Sequence, residues 1–223
     1  MKKGDFIWGL VLLGIVVFLI MPQTHEIFTQ LSKAHPYLMA FIKFGILSTM
    51  GELLALRIVN KRWEKPVGIH LKAIVWGFIG MLIAMIFVLY DSGVTTLIEK
   101  HYLPSIGDGV TAMFFKAFFT SALMNLLFAP TFMSFHRVTD TWIELGEGKI
   151  EKIIKVKFLT VLKTVDWSSF ISFAVCKTIP IFWIPAHTIT FILPSEYRVL
   201  AAAMLSIVLG AILGYSKSKK ASF

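Results

Sequence analysis

Six apolar stretches, each near the length needed to cross a bilayer, dominate this chain. They run over Phe6–Met21, Tyr37–Val59, Ala73–Tyr90, Val110–Phe135, Trp167–Ile184 and Val199–Ser216. A hydrocarbon core of about 30 Å needs roughly 20 apolar residues per helix. The runs are too long for strands and lack the alternation of a transmembrane barrel. Inside lipid, a lone segment can satisfy its backbone only as a helix. The expected fold is therefore all-α, an integral membrane bundle of about six transmembrane helices. The charged fraction of 16% agrees, since soluble domains carry about 25%. Cys176 is the single cysteine, so an intrachain disulfide scaffold is excluded.

Lys2 and Lys3 ahead of the first stretch resemble the start of a signal peptide. The sequence that follows, Met21-Pro22-Gln23-Thr24-His25, has no small-x-small cleavage site, so a retained anchor is expected.

The net charge of +9 is sorted by position. Sixteen of the 22 Lys and Arg residues fall in alternate regions: the amino terminus, the loops after spans two and four, and the tail. Three fall in the other loops, and Lys43, Lys116 and Lys177 lie inside spans. This asymmetry predicts six spans with both termini on the cytoplasmic (or organellar matrix) side. It also accounts for the basic excess without nucleic acid, for which no helix-turn-helix, zinc-finger spacing or aromatic RNA-binding box is present.

The longest loop, His136 to Asp166, contains Ile150, Ile153, Ile154, Phe158 and Val161 at helical spacing. Lys149, Lys152, Lys155 and Lys163 lie on the other face. One reading is a basic amphipathic helix on anionic lipid, with Lys149, Lys152 and Lys155 at the lipid surface. The other is a plain extension of span five. Gly146-Glu147-Gly148 breaks the chain before it.

Charges within spans are the best pointers to function, because each costs about 2.5 kcal/mol or more at the bilayer centre. Counted at 1.5 Å per residue from the outer ends of their spans, Lys43 and Lys116 lie roughly 9 Å deep and Lys177 roughly 10 Å deep. Arg198, His187 and Glu196 flank the connection between spans five and six. The expectation is a basic outer vestibule for anionic solutes; the alternative is that each lysine snorkels separately to the headgroups. Glu52 is deeper, in a stripe with Gly45, Ser48 and Thr49. Lys43 is on the opposite face of that helix, so a partner for Glu52 must come from another helix or from water. Glu52 then lines a path or forms a structural ion pair, or it stays protonated as a packing residue. Ser121 and Asn125 share a face in span four, above Pro130. Ser169, Ser172, Cys176 and Pro180 form a small-residue stripe in span five. Such stripes are more often packing seams than pores.

No histidine pair at metal-ligand spacing, no His-Glu-x-x-His and no Gly-x-Ser-x-Gly is present. No enzymatic activity, metal or cofactor is expected.

The segment from Trp183 to Arg198 resembles the signature of the Mpv-seventeen/peroxisomal membrane protein family. Trp183, Pro185, Phe191, Pro194, Tyr197 and Arg198 match its letters, and His187 and Thr190 stand for its Gln and Asn. Pro185 and Pro194 are closer by two residues than in the family pattern. Ala34-His35-Pro36 followed by Lys43, Gly45, Gly51 and Glu52 is similar to the family's opening. Asn125-Leu-Leu-Phe-Ala-Pro130 is similar to its Asp-Gln-x-x-Phe-Ala-Pro, with Met124 and Asn125 in place of Asp-Gln, which removes an acidic group. The third span lacks the family's Pro and Trp-Tyr. The likeness covers about Ala34 to Lys217. It implies a family-like membrane core over 34–223, preceded over 1–33 by an extra transmembrane helix and outer loop. It further implies channel-like passage of small solutes. Without an amphipathic transit peptide, a bacterial cytoplasmic membrane is the expected location.

Two functions follow as expectations. One is a channel or carrier-like protein for small, anionic solutes, using Lys43, Glu52, Lys116, Asn125, Lys177, His187 and Arg198. The other is a non-transporting scaffold or assembly factor whose basic inner loop binds lipid or a partner. The bilayer is a partner in both, and the sequence leaves the oligomeric state open.

Overall fold

The computed structural model describes residues 2–220, and of the tail lysines Lys217, Lys219 and Lys220 only the backbone. The chain is all-helical, with no strand among the described residues. The helices are α1 (Lys3–Ile20), α2 (Pro22–Ala34), α3 (Pro36–Asn60), α4 (Ile69–Glu99), α5 (Gly109–Leu127), α6 (Ala129–Leu145), α7 (Ile150–Ile153), α8 (Phe158–Thr164), α9 (Trp167–Ser169), α10 (Ile184–Ile192) and α11 (Ser195–Lys220). A π-helical stretch, Phe170–Trp183, joins α9 to α10. Among the described residues, six segments are long and apolar enough to cross a membrane: α1, α3, α4, α5, Trp167–Ile192 and Ser195–Ile212. The protein is a multi-pass integral membrane protein by this architecture.

α3 is the centre of the bundle. It packs antiparallel to α4, where Gly80 lies against the Ala40 carbonyl and Gly45 against that of Ala73. It packs parallel to α11, where Ser48 meets Ser206 at 3.1 Å. A Cβ on Gly51 would meet the Ser206 carbonyl oxygen at 2.6 Å. The small-residue stripe of α3 is thus a packing seam: glycine lets two backbones approach closely where lipid offers no hydrophobic force to join them. Phe44, Leu47, Ile79, Phe87, Ala203 and Ile207 fill the shared core.

Both described chain ends lie at one end of the bundle. Lys2 Nζ donates to the Lys61 carbonyl at 3.0 Å, and Gly214 of α11 approaches Ala55 and Ile58. The loops rich in Lys and Arg are here too, with Gly68 of the α3–α4 loop against Gly148 of the α6–α7 loop. Both glycines have positive φ, and a side chain at either would force the loops apart. We call this the basic end. α1 docks there through Asp5, which accepts from Arg57 at 2.7 Å and from Trp63 Nε1 at 2.8 Å.

Four expectations need correction. Span four does not run to Phe135; α5 ends at Leu127 and α6 restarts at Ala129, because Pro130 has no N–H to continue the ladder and sits in the first turn of a new helix. Span five does not end at Ile184; it continues to Ile192. Pro180 and Pro185 are absorbed by the wide π turns and a fresh α-helical start, since a membrane helix can re-satisfy the freed backbone groups locally. The segment 22–34, read as outer loop, is the amphipathic helix α2, with Phe28 and Ser32 buried. The 150–163 segment is two short helices rather than one. α7 ends at Ile153, whose carbonyl accepts from Trp142 Nε1 at 3.0 Å and from the Val156 N–H at 3.1 Å.

Candidate functional site: two charge clusters along one helix

One side of α4 carries a line of groups from one end of the bundle to the other. Lys72, Trp76, Ile79, Ile83, Phe87 and Asp91 lie within a stripe roughly 120° wide at 100° per residue. Lys72 and Asp91 are 91 − 72 = 19 residues apart, about 28 Å along the axis. That separation is close to the thickness of a hydrocarbon core.

The cluster at the basic end centres on Lys72, which is only 3% exposed. Its ammonium donates to Glu52 of α3 at 3.0 Å and to Glu144 of α6 at 2.9 Å, and lies 3.6 Å from Asp140. Sequence reasoning counted Lys72 as a loop residue; it is in the first turns of α4 and supplies the partner that Glu52 requires. Beside it, His136 packs tilted against Trp76, with ring centroids 4.1 Å apart and planes inclined by 40°. His136 Nε2 lies 3.8 Å from Asp140 Oδ1, beyond hydrogen-bond reach. Those two atoms and Trp76 Nε1 are buried without a protein partner. Burial pushes the His136 imidazole down to about 4 and pushes the Asp140 carboxyl up against the opposing pull of Lys72.

The cluster at the opposite end centres on Asp91. It accepts from Arg198 at 2.9 Å and pairs with Lys116 at 3.2 Å. Arg198 also donates through Nε to the Leu193 carbonyl at 2.9 Å and sits over the Phe191 ring. Asp91 closes the third apolar run in the sequence, and its role shows only once α4 is seen to extend to Glu99.

Between the clusters lies a polar pair. Asn125 of α5 is 1% exposed. Its amide donates to the Ser121 carbonyl at 2.8 Å and lies 3.1 Å from His187 Nδ1 of α10. Ser121 Oγ donates to the Ile184 carbonyl at 2.7 Å, fixing α5 against α10. His187 stacks on Trp183 and meets the edge of Phe87. Ile79 and Ile83 fill the stripe between this pair and the basic end.

The residues singled out from sequence are thus divided. Glu52, Asn125, His187, Lys116 and Arg198 all border the α4 stripe, directly or through one neighbour. Lys43 does not: it is buried against α2, where it donates to Ser32 at 2.8 Å and lies 4.4 Å from the Phe28 ring centroid. Lys177 does not either. With span five extended to Ile192 it lies ten residues after Trp167 and fifteen before Ile192, so it is mid-span, and it is exposed on the bundle surface. The three lysines therefore share neither a depth nor a cavity. Among the motif residues, Phe191 packs against Phe87 of the stripe, Trp183 reaches it only through His187, Tyr197 accepts or donates at 2.9 Å with His25, Pro185 opens α10 and Pro194 separates α10 from α11. Lys149, Lys152 and Lys155 are exposed at the basic end, and Lys152 pairs with Glu147.

No family model, curated protein or solved structure matches this chain.

Proposed function

We propose that this protein passes small solutes across a membrane along the α4 stripe, between the Asp91 and Lys72 clusters. The observation that carries the reading is the order of groups along α4: a charge cluster at each end, about a bilayer core apart, with buried Asn125 and its partner His187 between them. Ionisable groups at membrane depth mark solute or proton routes more often than they mark packing. The Asp91 cluster holds two cations against one carboxylate, so its surplus is positive and draws anions. Phe87, Ile79 and Ile83 occupy the stripe between and act as the closed constriction. The motif likeness to the Mpv-seventeen family supports the same reading, since Trp183, Phe191 and Arg198 border this route. With the positive-inside rule, the Lys72 end is cytoplasmic, and a bacterial cell membrane is the proposed setting.

The test is flux and conductance in liposomes, comparing wild type with Lys116→Ala, Glu52→Gln and Phe87→Ala. Passage through the stripe predicts lower anion flux for Lys116→Ala and leak for Phe87→Ala. If a broad panel of ions and metabolites moves no faster than through empty liposomes, passage is refuted and a scaffold role takes its place.

A further inference from the structure

The α6–α9 connection has two kinds of apolar residue. Ile153 packs against Gly146 at the end of α6, and Val161 and Val165 are buried. Ile150, Ile154, Phe158 and Leu159 point outward, with Ile154 74% exposed. Five lysines accompany them, Lys149, Lys152, Lys155, Lys157 and Lys163, all exposed. Lys152 is engaged by Glu147, whose carboxyl it holds below the usual range. Glu151 and Asp166 are the only acids over 149–166, and Asp166 is committed to capping the Ser169 N–H at 3.0 Å.

The position of this segment narrows what can cover it. α8 ends three residues before the span that opens at Trp167. The segment also follows α6, whose Lys72-facing carboxylates fix the basic end. It is held there by Trp142, which bonds the Ile153 carbonyl and packs its ring against Phe158 at 5.6 Å. The break between α7 and α8, over 154–157, thus pushes Ile154 and Phe158 out from a tethered base. Apolar side chains flanked by cations at the mouth of a membrane span fit an interfacial layer of hydrocarbon and anionic headgroups.

We propose that the α7–α8 segment docks on the anionic surface of the leaflet that the bundle itself spans. Ile154, Phe158 and Leu159 enter the acyl boundary, and Lys155, Lys157 and Lys163 meet lipid phosphates. The docking is independent of solute passage and stands whether or not the α4 stripe conducts.

The test uses the full chain in nanodiscs of phosphatidylcholine, alone or mixed with phosphatidylglycerol. A spin label at Ile154→Cys, in a Cys176→Ser background, is expected to become more accessible to oxygen and less to a nickel chelate when the anionic lipid is added. Hydrogen exchange of the 149–165 backbone in the unlabelled protein is expected to slow under the same change. The Lys155→Gln and Lys157→Gln variants are expected to lose about fivefold of that protection per lysine removed. A label equally open to the nickel chelate in both lipids, with exchange indifferent to composition, overturns the proposal. Protection that instead follows protein concentration would assign the patch to a second copy, and also overturns it.

Discussion

Glu52 of α3 and Lys72 of α4 meet at 3.0 Å, and the same ammonium holds two carboxylates of α6. One cation therefore joins three helices at the basic end. The consequences of losing either partner are unequal. Lys72→Ala leaves Glu52, Asp140 and Glu144 facing one another without a counter-charge. It is expected to destabilise by about 3–5 kcal/mol, the range for breaking a buried pair. Glu52→Gln keeps a hydrogen-bond acceptor and leaves Lys72 two acids, so its cost is expected to be about 1 kcal/mol. Thermal unfolding in detergent ranks the two, and equal losses would contradict the shared-cation arrangement.

His136 gives the cluster a pH dependence. Its folded-state pKa, about 4, is below the ordinary 6.5. Between these values the unfolded chain binds a proton that the folded one refuses, so stability falls as pH drops from about 6.5 toward 4 and levels off below. Asp140 acts in the opposite sense, since its raised pKa favours the folded state's proton above pH 3.8. The His136→Gln variant is expected to flatten the loss between pH 6.5 and 4 by about 3 kcal/mol. Melting temperature against pH, with and without the substitution, reads this out.

The α3–α11 seam tolerates no added side chain at Gly51 or Gly210. A Cβ at Gly210 would meet the Gly51 carbonyl oxygen at 2.5 Å. Both neighbours are backbone and cannot swing aside. Gly51→Val and Gly210→Val are each expected to cost more than about 2 kcal/mol, at the upper end of overpacking effects. Gly93→Val, where nothing lies within 4 Å, is the control and is expected to be close to neutral. Comparable melting temperatures for all three would show that the seam is open.

Cys176 reports on the outer surface of span five. It is exposed on the bundle within Trp167–Ile192, so lipid surrounds it. In membranes, a charged methanethiosulfonate is expected not to label it, because lipid excludes the reagent, and is expected to label it once the protein is unfolded in denaturant. Rapid labelling by the charged reagent would mean that water reaches this face.

The helical class and the six spans were legible because lipid imposes them through length and hydropathy alone. Pro130 lies inside the expected fourth span, where a proline marks a kink, and the structure turns that kink into a break at Phe128. Two features escaped for physical reasons. Span five is expected to stop at Ile184, just before Pro185, yet π turns carry the helix past Pro180 and a fresh α-helical start takes it past Pro185. Lys72 and Asp91 stand at the margins of apolar runs, where a charge resembles a boundary marker. Their partners are 20 to 107 residues away in sequence, and nothing in local periodicity announces a pairing at that range. Asn125 and His187 were each visible as polar residues near apolar neighbours, but their contact depends on how α5 meets α10.

The spacing of Lys72 and Asp91 also bears on which membrane suits the protein. Lys72 and Asp91 are each held by ion pairs to other helices, so neither charge can slide along the axis of α4. A bilayer thicker than their separation would draw one cluster into acyl chains unless the whole bundle stood more upright or the lipids thinned around it. A thinner one is met by tilting. Such hydrophobic mismatch costs fractions of a kcal/mol per ångström, enough to sort a protein between membranes. The two clusters thus fix a preferred thickness, and lipids of graded chain length should reveal it as an optimum in stability.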